Sequence, residues 1–237
     1  MKKVILASLL CWSLSAAIVV TNRGSNTDSG LPVDVLFTNT TGHSIVAFVS
    51  YNAAVEGGGI AVTLNPSNAP MTCGTPVAGT AITTNICYVH TSPAGVTGVE
   101  IDSNNEVRLN LSVITVSGLN NAVPDATNSN TGVASSTVTT NSVTPATASN
   151  LVVAIGAWTV NDYSSGPTNG FTRLTQTGGG AVFQESAYLI QSSATAKSAG
   201  YTLTAGINWA AAIAVFGAPT SGPTNAQRSA GFFMGPP

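Results

Sequence analysis

Charge is scarce in this chain. Of 237 residues, seven are Lys or Arg and nine are Asp or Glu, 7% of the total against roughly a quarter in an ordinary soluble domain. Seven scattered cations form no patch that could neutralise a phosphate backbone, so nucleic acid is excluded as a partner. Histidine is almost missing, with His43 and His90 the only two, and cysteine stops at three. Aromatic residues reach 6%. Helical periodicity is absent from nearly the whole chain after the N-terminus, which excludes an all-α or α/β fold. The 43% of hydrophobic residues is ample for a core and excludes disorder, because these residues fall in runs of strand length. Polarity is carried by neutral groups instead: Ser (25), Thr (31) and Asn (20) make up about a third of the chain, and Gly adds 24.

The N-terminus speaks to compartment. Lys2 and Lys3 precede an apolar stretch that ends in Ser13, Ser15, Ala16 and Ala17, the basic, apolar and small-residue order of a secretory signal peptide covering residues 1–17. A membrane enters only if that segment is kept, since the uncharged run over 4–22 is about long enough to span a bilayer. Loss of Cys11 with the signal leaves Cys73 and Cys87, which in an exported chain are expected to form one disulfide. Two thiols without a nearby His or third Cys fall short of a zinc set.

Short β-branched runs separated by Gly, Pro and Asn recur throughout: 33–37, 44–50, 60–64, 82–90, 98–101, 107–116, 135–140, 151–159, 171–175, 181–190, 201–204 and 209–216. So many short strands at regular spacing predict an all-β sandwich or barrel. Two halves repeat one another at an offset near one hundred residues: 43–51 matches 149–158, Cys87-Tyr88-Val89 matches Ala187-Tyr188-Leu189, and 111–118 matches 211–217. The expectation is a single jelly-roll β-sandwich over 18–218 with an internal pseudo-twofold duplication, in halves of about 18–120 and 131–218, followed by a Pro/Gly-rich flexible tail over 219–237. Two small tandem β-sandwiches are the alternative, with residues 120–134 as linker.

The strand order that includes Ser149-Asn150-Leu151-Val152-Val153-Ala154-Ile155-Gly156-Ala157-Trp158 and the closing Ala210-Ala211-Ala212-Ile213-Ala214-Val215-Phe216 resembles the jelly-roll modules of secreted bacterial surface proteins and phage tail proteins. The resemblance covers nearly all of 17–218 and implies galactose-binding-like or carbohydrate-binding-like sandwiches. Its motifs are hydrophobic strand patterns with no catalytic signature. The chain departs at Asn65-Pro66-Ser67-Asn68-Ala69-Pro70, where many relatives carry an acidic, Asn- and Gly-containing loop, so no function of that loop transfers.

Catalysis finds few candidates. The acids are Asp28, Asp34, Glu56, Glu100, Asp102, Glu106, Asp125, Asp162 and Glu185, and sugar hydrolysis needs two of them facing across a cleft. Asp102 and Glu106 flank Asn104-Asn105, a dipeptide favoured in tight hairpins, and read as solubilising residues on opposite arms of a turn. The same segment has alternating oxygen ligands but lacks the Gly and Glu of an EF-hand loop, leaving only a simpler structural calcium site open. There is no Gly-x-Ser-x-Gly elbow, and neither Gly57-Gly58-Gly59 nor Gly178-Gly179-Gly180 precedes a Lys or a helix. The chain is therefore expected to be non-catalytic and without a cofactor.

Binding would use the few aromatics. Trp158, Asn161, Asp162 and Tyr163 fall within six residues, and the duplication sets them opposite Tyr51, Asn52 and Glu56; these two loops are the expected ligand site. The partner is then a glycan or other cell-surface polymer. The alternative is assembly with copies of itself into a surface layer, filament or virion, which low net charge favours, with Phe232-Phe233-Met234 of the tail as a docking peptide.

Overall fold

A computed structural model describes residues 17–28, 32–38, 41–52, 60–103, 108–119, 123–162, 165–179 and 181–218. The signal segment before Ala17, the tail with Phe232, Phe233 and Met234, and Glu56, Glu106 and Tyr163 lie outside them. The first half runs β1 (Val19–Asp28), β2 (Val33–Leu36), β3 (Ser44–Tyr51), β4 (Ile60–Asn65), β5 (Ala69–Pro70), β6 (Thr72–Cys73), β7 (Val77–Gly79), β8 (Ile82–Val89), β9 (Gly98–Ser103) and β10 (Leu109–Ser117). The second runs β11 (Ala126–Thr139), β12 (Asn150–Trp158), β13 (Thr172–Gly179), β14 (Val182–Gln191) and β15 (Gly200–Gly217).

These strands make three antiparallel sheets. One has the order β1-β10-β3-β8-β6, with β7 also on β8; one is β11-β15-β12-β14-β13; the smallest is β2-β9-β4-β5. The first sheet lies between the other two. Its inward residues Ile45, Ala47, Val49, Leu111 and Val113 pack on Val33, Val35, Val62, Leu64, Val99 and Ile101 of the smallest sheet. On its opposite face, Val46, Phe48, Ile86, Tyr88 and Ile114 pack on Leu151, Val153, Ile155, Ala212, Ala214 and Phe216 of the second half. Strands sandwiched this way are apolar on both faces, which is why β3 and β12 read as unbroken apolar runs. Each large aliphatic or Phe side chain so buried contributes about 1.5–3 kcal/mol.

The duplication is visible in the ladders. Val46 pairs with Tyr88 and Ile114 in the first half, as Val153 pairs with Tyr188 and Ala214 in the second. Likewise Val33 pairs with Ile101 and Val138 with Tyr201. The halves differ in the course of this outer ribbon. In the second, β11 and β15 run on as one long bent ribbon, with register shifts between Gly132 and Ser135 and again between Ser135 and Thr137. In the first, the same path is broken into β1 and β2 on one side and β9 and β10 on the other.

Three expectations need correction. Residues 126–134, read as linker, belong to β11. The runs 201–204 and 209–216 form a single strand, β15. The strands that the Asp102–Glu106 hairpin would pair do not pair with each other, because β9 pairs with β2 and β4 while β10 pairs with β1 and β3.

The halves are bound into one body. In the layer between them Gln184 Nε2 donates to Phe48 O at 3.2 Å and to Ser112 Oγ at 2.8 Å. Asn110 Nδ2 donates to Ser50 Oγ and to Val182 O, both at 3.2 Å. Tyr88 meets Phe216 edge to face, with ring centroids 5.6 Å apart. The Cys73–Cys87 disulfide is formed, at 2.03 Å, and ties β6 to β8 as a direct cross-strand pair.

Candidate functional site

The loop residues expected to bind do not form an aromatic platform. Trp158 has no exposed surface and packs on Tyr201 with ring centroids 6.3 Å apart, so neither ring face is open to a sugar. Space for Tyr201 is made by Gly156, where a Cβ would come within 2.8 Å of the Tyr201 ring. Trp209, read as core, is buried and lies over its cross-strand partner Gly132, where a Cβ would come within 2.3 Å of the indole. A glycine opposite each ring lets the aromatics lie flat on the sheet.

Asp162 is committed to structure as well. Its Oδ1 accepts from the Thr204 N–H at 2.9 Å and from the Thr204 hydroxyl, and its Oδ2 accepts from the Ala205 N–H at 2.6 Å. These bonds, led by the Thr204 hydroxyl, hold its carboxyl below the ordinary carboxylate value. A lowered carboxyl stabilises above its unfolded value, and the contribution is lost as pH falls through the folded one. Asp162→Asn is therefore expected to lower Tm at neutral pH and to flatten the acid limb of the stability curve; an unchanged acid limb would contradict this role.

Asn161 is exposed. Tyr51 is half-buried at the position equivalent to Trp158, since Tyr51 pairs with Leu109 and Trp158 with Trp209. Burial raises its hydroxyl above the ordinary tyrosine value, opposed by a hydrogen bond with Thr83. Asn52 donates its N–H to Arg108 O at 3.4 Å. No three His, Cys, Asp or Glu side chains converge among the described residues, and Asp102 Oδ1 accepts from the Ser103 N–H at 2.7 Å.

A different site lies at the seam of the halves. Stacking two sheets face to face leaves two seams where their edges meet. At one, β1 and β13 are joined: Asn22 Nδ2 donates to Leu174 O at 3.0 Å and Thr175 Oγ1 to Ser25 Oγ at 2.9 Å. The other, between the β6–β7 edge and β11, has no side-chain bond across it among the described residues. It opens as a groove of about 240 Å³. Its floor is the margin of the inter-sheet core, the largely buried Ile86 and Tyr88 from β8 with Ala212 and Ala214 from β15. Its walls are Gly74, Thr75, Val77 and Asn85 on one side and Pro124, Thr127, Asn128 and Ser129 on the other. The disulfide holds the first wall in place through Cys73, next to Gly74, and Asn85 Nδ2 donates to Gly74 O at 3.1 Å.

No family model, curated protein or solved structure matches the chain. The site is read from its own chemistry. An apolar floor carrying one aromatic, walls of hydroxyl and amide groups, and no charged lining residue suit a neutral ligand rich in hydroxyls. Sequence reasoning missed this groove because its walls come from residues some fifty positions apart in β6–β8 and β11. The signal that was present is the neutral Thr/Asn composition of both walls.

Sequence reasoning also gave Glu185 no role, yet it has the most unusual environment of the acids among the described residues. It points into the second-half core with no exposed side-chain surface, and its Oε1 meets Arg173 Nε at 3.0 Å. Arg173 also donates to Gly166 O at 2.8 Å. Burial drives the Glu185 carboxyl up to about 7, against the pull of Arg173. Buried Tyr201 beside it is raised in turn, first by burial and then by the Glu185 charge. Neither residue lines the seam groove, and the pair reads as a structural ion pair.

Proposed function

We propose that the chain is a non-catalytic binding module that takes a neutral polyhydroxylated ligand, a stretch of cell-surface or extracellular polysaccharide, in the seam groove. The observation that carries this reading is the asymmetry of the two seams. One is zipped by side-chain hydrogen bonds, while the equivalent one is open and walled by uncharged donors and acceptors over an apolar floor that includes Tyr88. Hydroxyl-rich ligands are held by such groups without the desolvation cost that a charged wall would impose. A volume near 240 Å³ fits a sugar unit or two of a longer chain better than a whole drug-sized molecule.

The disulfide supports an oxidising setting, and the Lys2-Lys3 segment with its small-residue exit supports export. The resemblance to secreted carbohydrate-binding-like sandwiches points the same way.

The test is binding of the purified chain to a panel of neutral polysaccharides, with Thr75→Trp and Thr127→Trp as groove-filling variants. Both threonines are exposed, so the fold should tolerate the change. Each variant is expected to weaken binding at least about tenfold, roughly 1.4 kcal/mol, with Tm unchanged, while Asn161→Ala binds as wild type. Retained binding in both groove variants would defeat the proposal, as would no binding to any member of the panel.

A further inference from the structure

The free edges of the sheets are closed in an unusual way. Asn22, Asn26 and Asn128 on edge strands, and Asn85 in the gap that β6 and β7 leave along β8, each use the side-chain amide as a neighbouring peptide unit would be used. Asn26 Oδ1 accepts from the Thr27 N–H at 2.9 Å while its Nδ2 donates to Asp34 O at 2.9 Å. Asn128 Oδ1 accepts from the Ser129 N–H at 2.9 Å while its Nδ2 donates to Ser142 O at 2.8 Å. Asn22 serves Gly24 N–H and Leu174 O in the same manner, and Asn85 serves Ile86 N–H and Gly74 O.

The consequence is largest on β11. This strand is an edge of its sheet, fourteen residues long, with a single neighbour, β15. Edge strands ordinarily resist pairing through charges or proline, and 126–139 contains neither. Side chains that favour pairing, Thr127, Thr131, Val133 and Thr137, are present instead. What occupies the outward backbone groups is amide. Asn128 takes the Ser129 N–H, Asn130 Oδ1 takes the Thr131 N–H at 3.0 Å, and Asn141 Nδ2 donates to Ser129 O at 2.6 Å. In a strand the N–H and C=O of one residue point to the same side, so Ser129 has both outward groups occupied.

We propose that Asn128, Asn130 and Asn141 are guards that keep β11 from pairing with β11 of a second copy of this chain. A second copy is the matching partner because an uncharged strand meeting itself antiparallel has no like-charge repulsion and forms a self-complementary twofold contact that closes as a dimer. The guard works by occupying the hydrogen-bonding groups that strand addition would use. This inference does not rest on the ligand proposed for the groove, although Asn128 also lines that groove.

The test is sedimentation of the purified chain beside Asn128→Thr/Asn130→Thr/Asn141→Ser, together with amide hydrogen exchange. The wild type is expected to stay monomeric at millimolar concentration and the triple variant to form a dimer. Thr131→Cys added to the variant should then give an inter-chain disulfide. In the wild type, the Ser129 and Thr131 amides are expected to exchange at least about tenfold more slowly than that of Thr127, whose N–H shares their side of the strand without a cap. A folded triple variant that remains monomeric overturns the proposal. If the variant does not fold, exchange in the wild type decides, and Ser129 and Thr131 amides as fast as that of Thr127 overturn it.

Discussion

Stability of the wild-type chain is expected to fall by about 3 kcal/mol between about pH 5 and about pH 8 relative to a Glu185→Gln variant. Glu185 has no exposed side-chain surface, and its Oε2 has no hydrogen-bond partner. Arg173 neutralises only part of the cost of holding a charge there, because the Arg173 side chain is itself 40% exposed and its field is shared with water. The outcome is a carboxyl raised from 4.5 to about 7. The direction follows from proton linkage. A group with a raised folded value binds its proton more tightly folded than unfolded, so its stabilisation is complete below about 4.5 and is lost as pH climbs through about 7. Glutamine presents a neutral amide whose oxygen still accepts from Arg173, so the variant should gain on the wild type at high pH and match it near pH 5. Urea unfolding midpoints across this range are the check. Parallel curves for the two proteins, or a wild type that gains on the variant as pH rises, would contradict the placement of Glu185.

Trp158→Ala is expected to cost about 3–5 kcal/mol, the range for removing a buried large aromatic. Trp158 packs on Tyr201, and in the ladder it stands between Phe183 and Trp209. Truncation would leave a cavity lined by rigid neighbours on three strands, which collapse only partly. Denaturant unfolding with a constant m value measures it. A loss below about 1 kcal/mol would put the indole at the surface, where a sugar platform would need it. The same variant, where folded, should keep its ligand, because no groove residue is changed.

Both expectations turn on which way a side chain faces, and this was the least legible feature of the chain. Alternation of polar and apolar residues tells the two faces of a strand apart only when one face is wet. In β12, Leu151, Val153 and Ile155 enter the layer between the halves while Val152, Ala154 and Trp158 enter the second-half core, and no pattern in the run marks the difference. Trp158 followed by Asn161, Asp162 and Tyr163 thus looked like a binding loop, although the first is core and Asp162 is spent on Thr204 and Ala205.

Much of the architecture was legible nonetheless. The repeat at about one hundred residues was readable from Cys87-Tyr88-Val89 against Ala187-Tyr188-Leu189, and the ladders preserve it pair by pair. The all-β class followed from β-branched runs between turn residues, and the disulfide from the two cysteines left in an exported chain, which β6 and β8 bring together. The groove was not legible, since its two walls meet only because whole sheets stack. The edge guards were equally hidden: twenty asparagines look alike in a neutral surface until hydrogen bonds single out those that stand in for a missing strand.

The scarcity of charge has a structural counterpart in these features. Edges closed by amides and a groove walled by hydroxyls need no ions, and the one ion pair among the described residues, Arg173 with Glu185, is not part of the groove lining.

The most direct measurement of the central claim is amide chemical-shift mapping of the isotopically labelled chain during titration with a neutral polysaccharide fragment that it binds. Shifts centred on Gly74, Thr75, Asn85, Thr127, Asn128 and Ser129, saturating together, are the predicted result. Shifts centred instead on Tyr51, Asn52 and Asn161, with the groove amides unmoved, would contradict it.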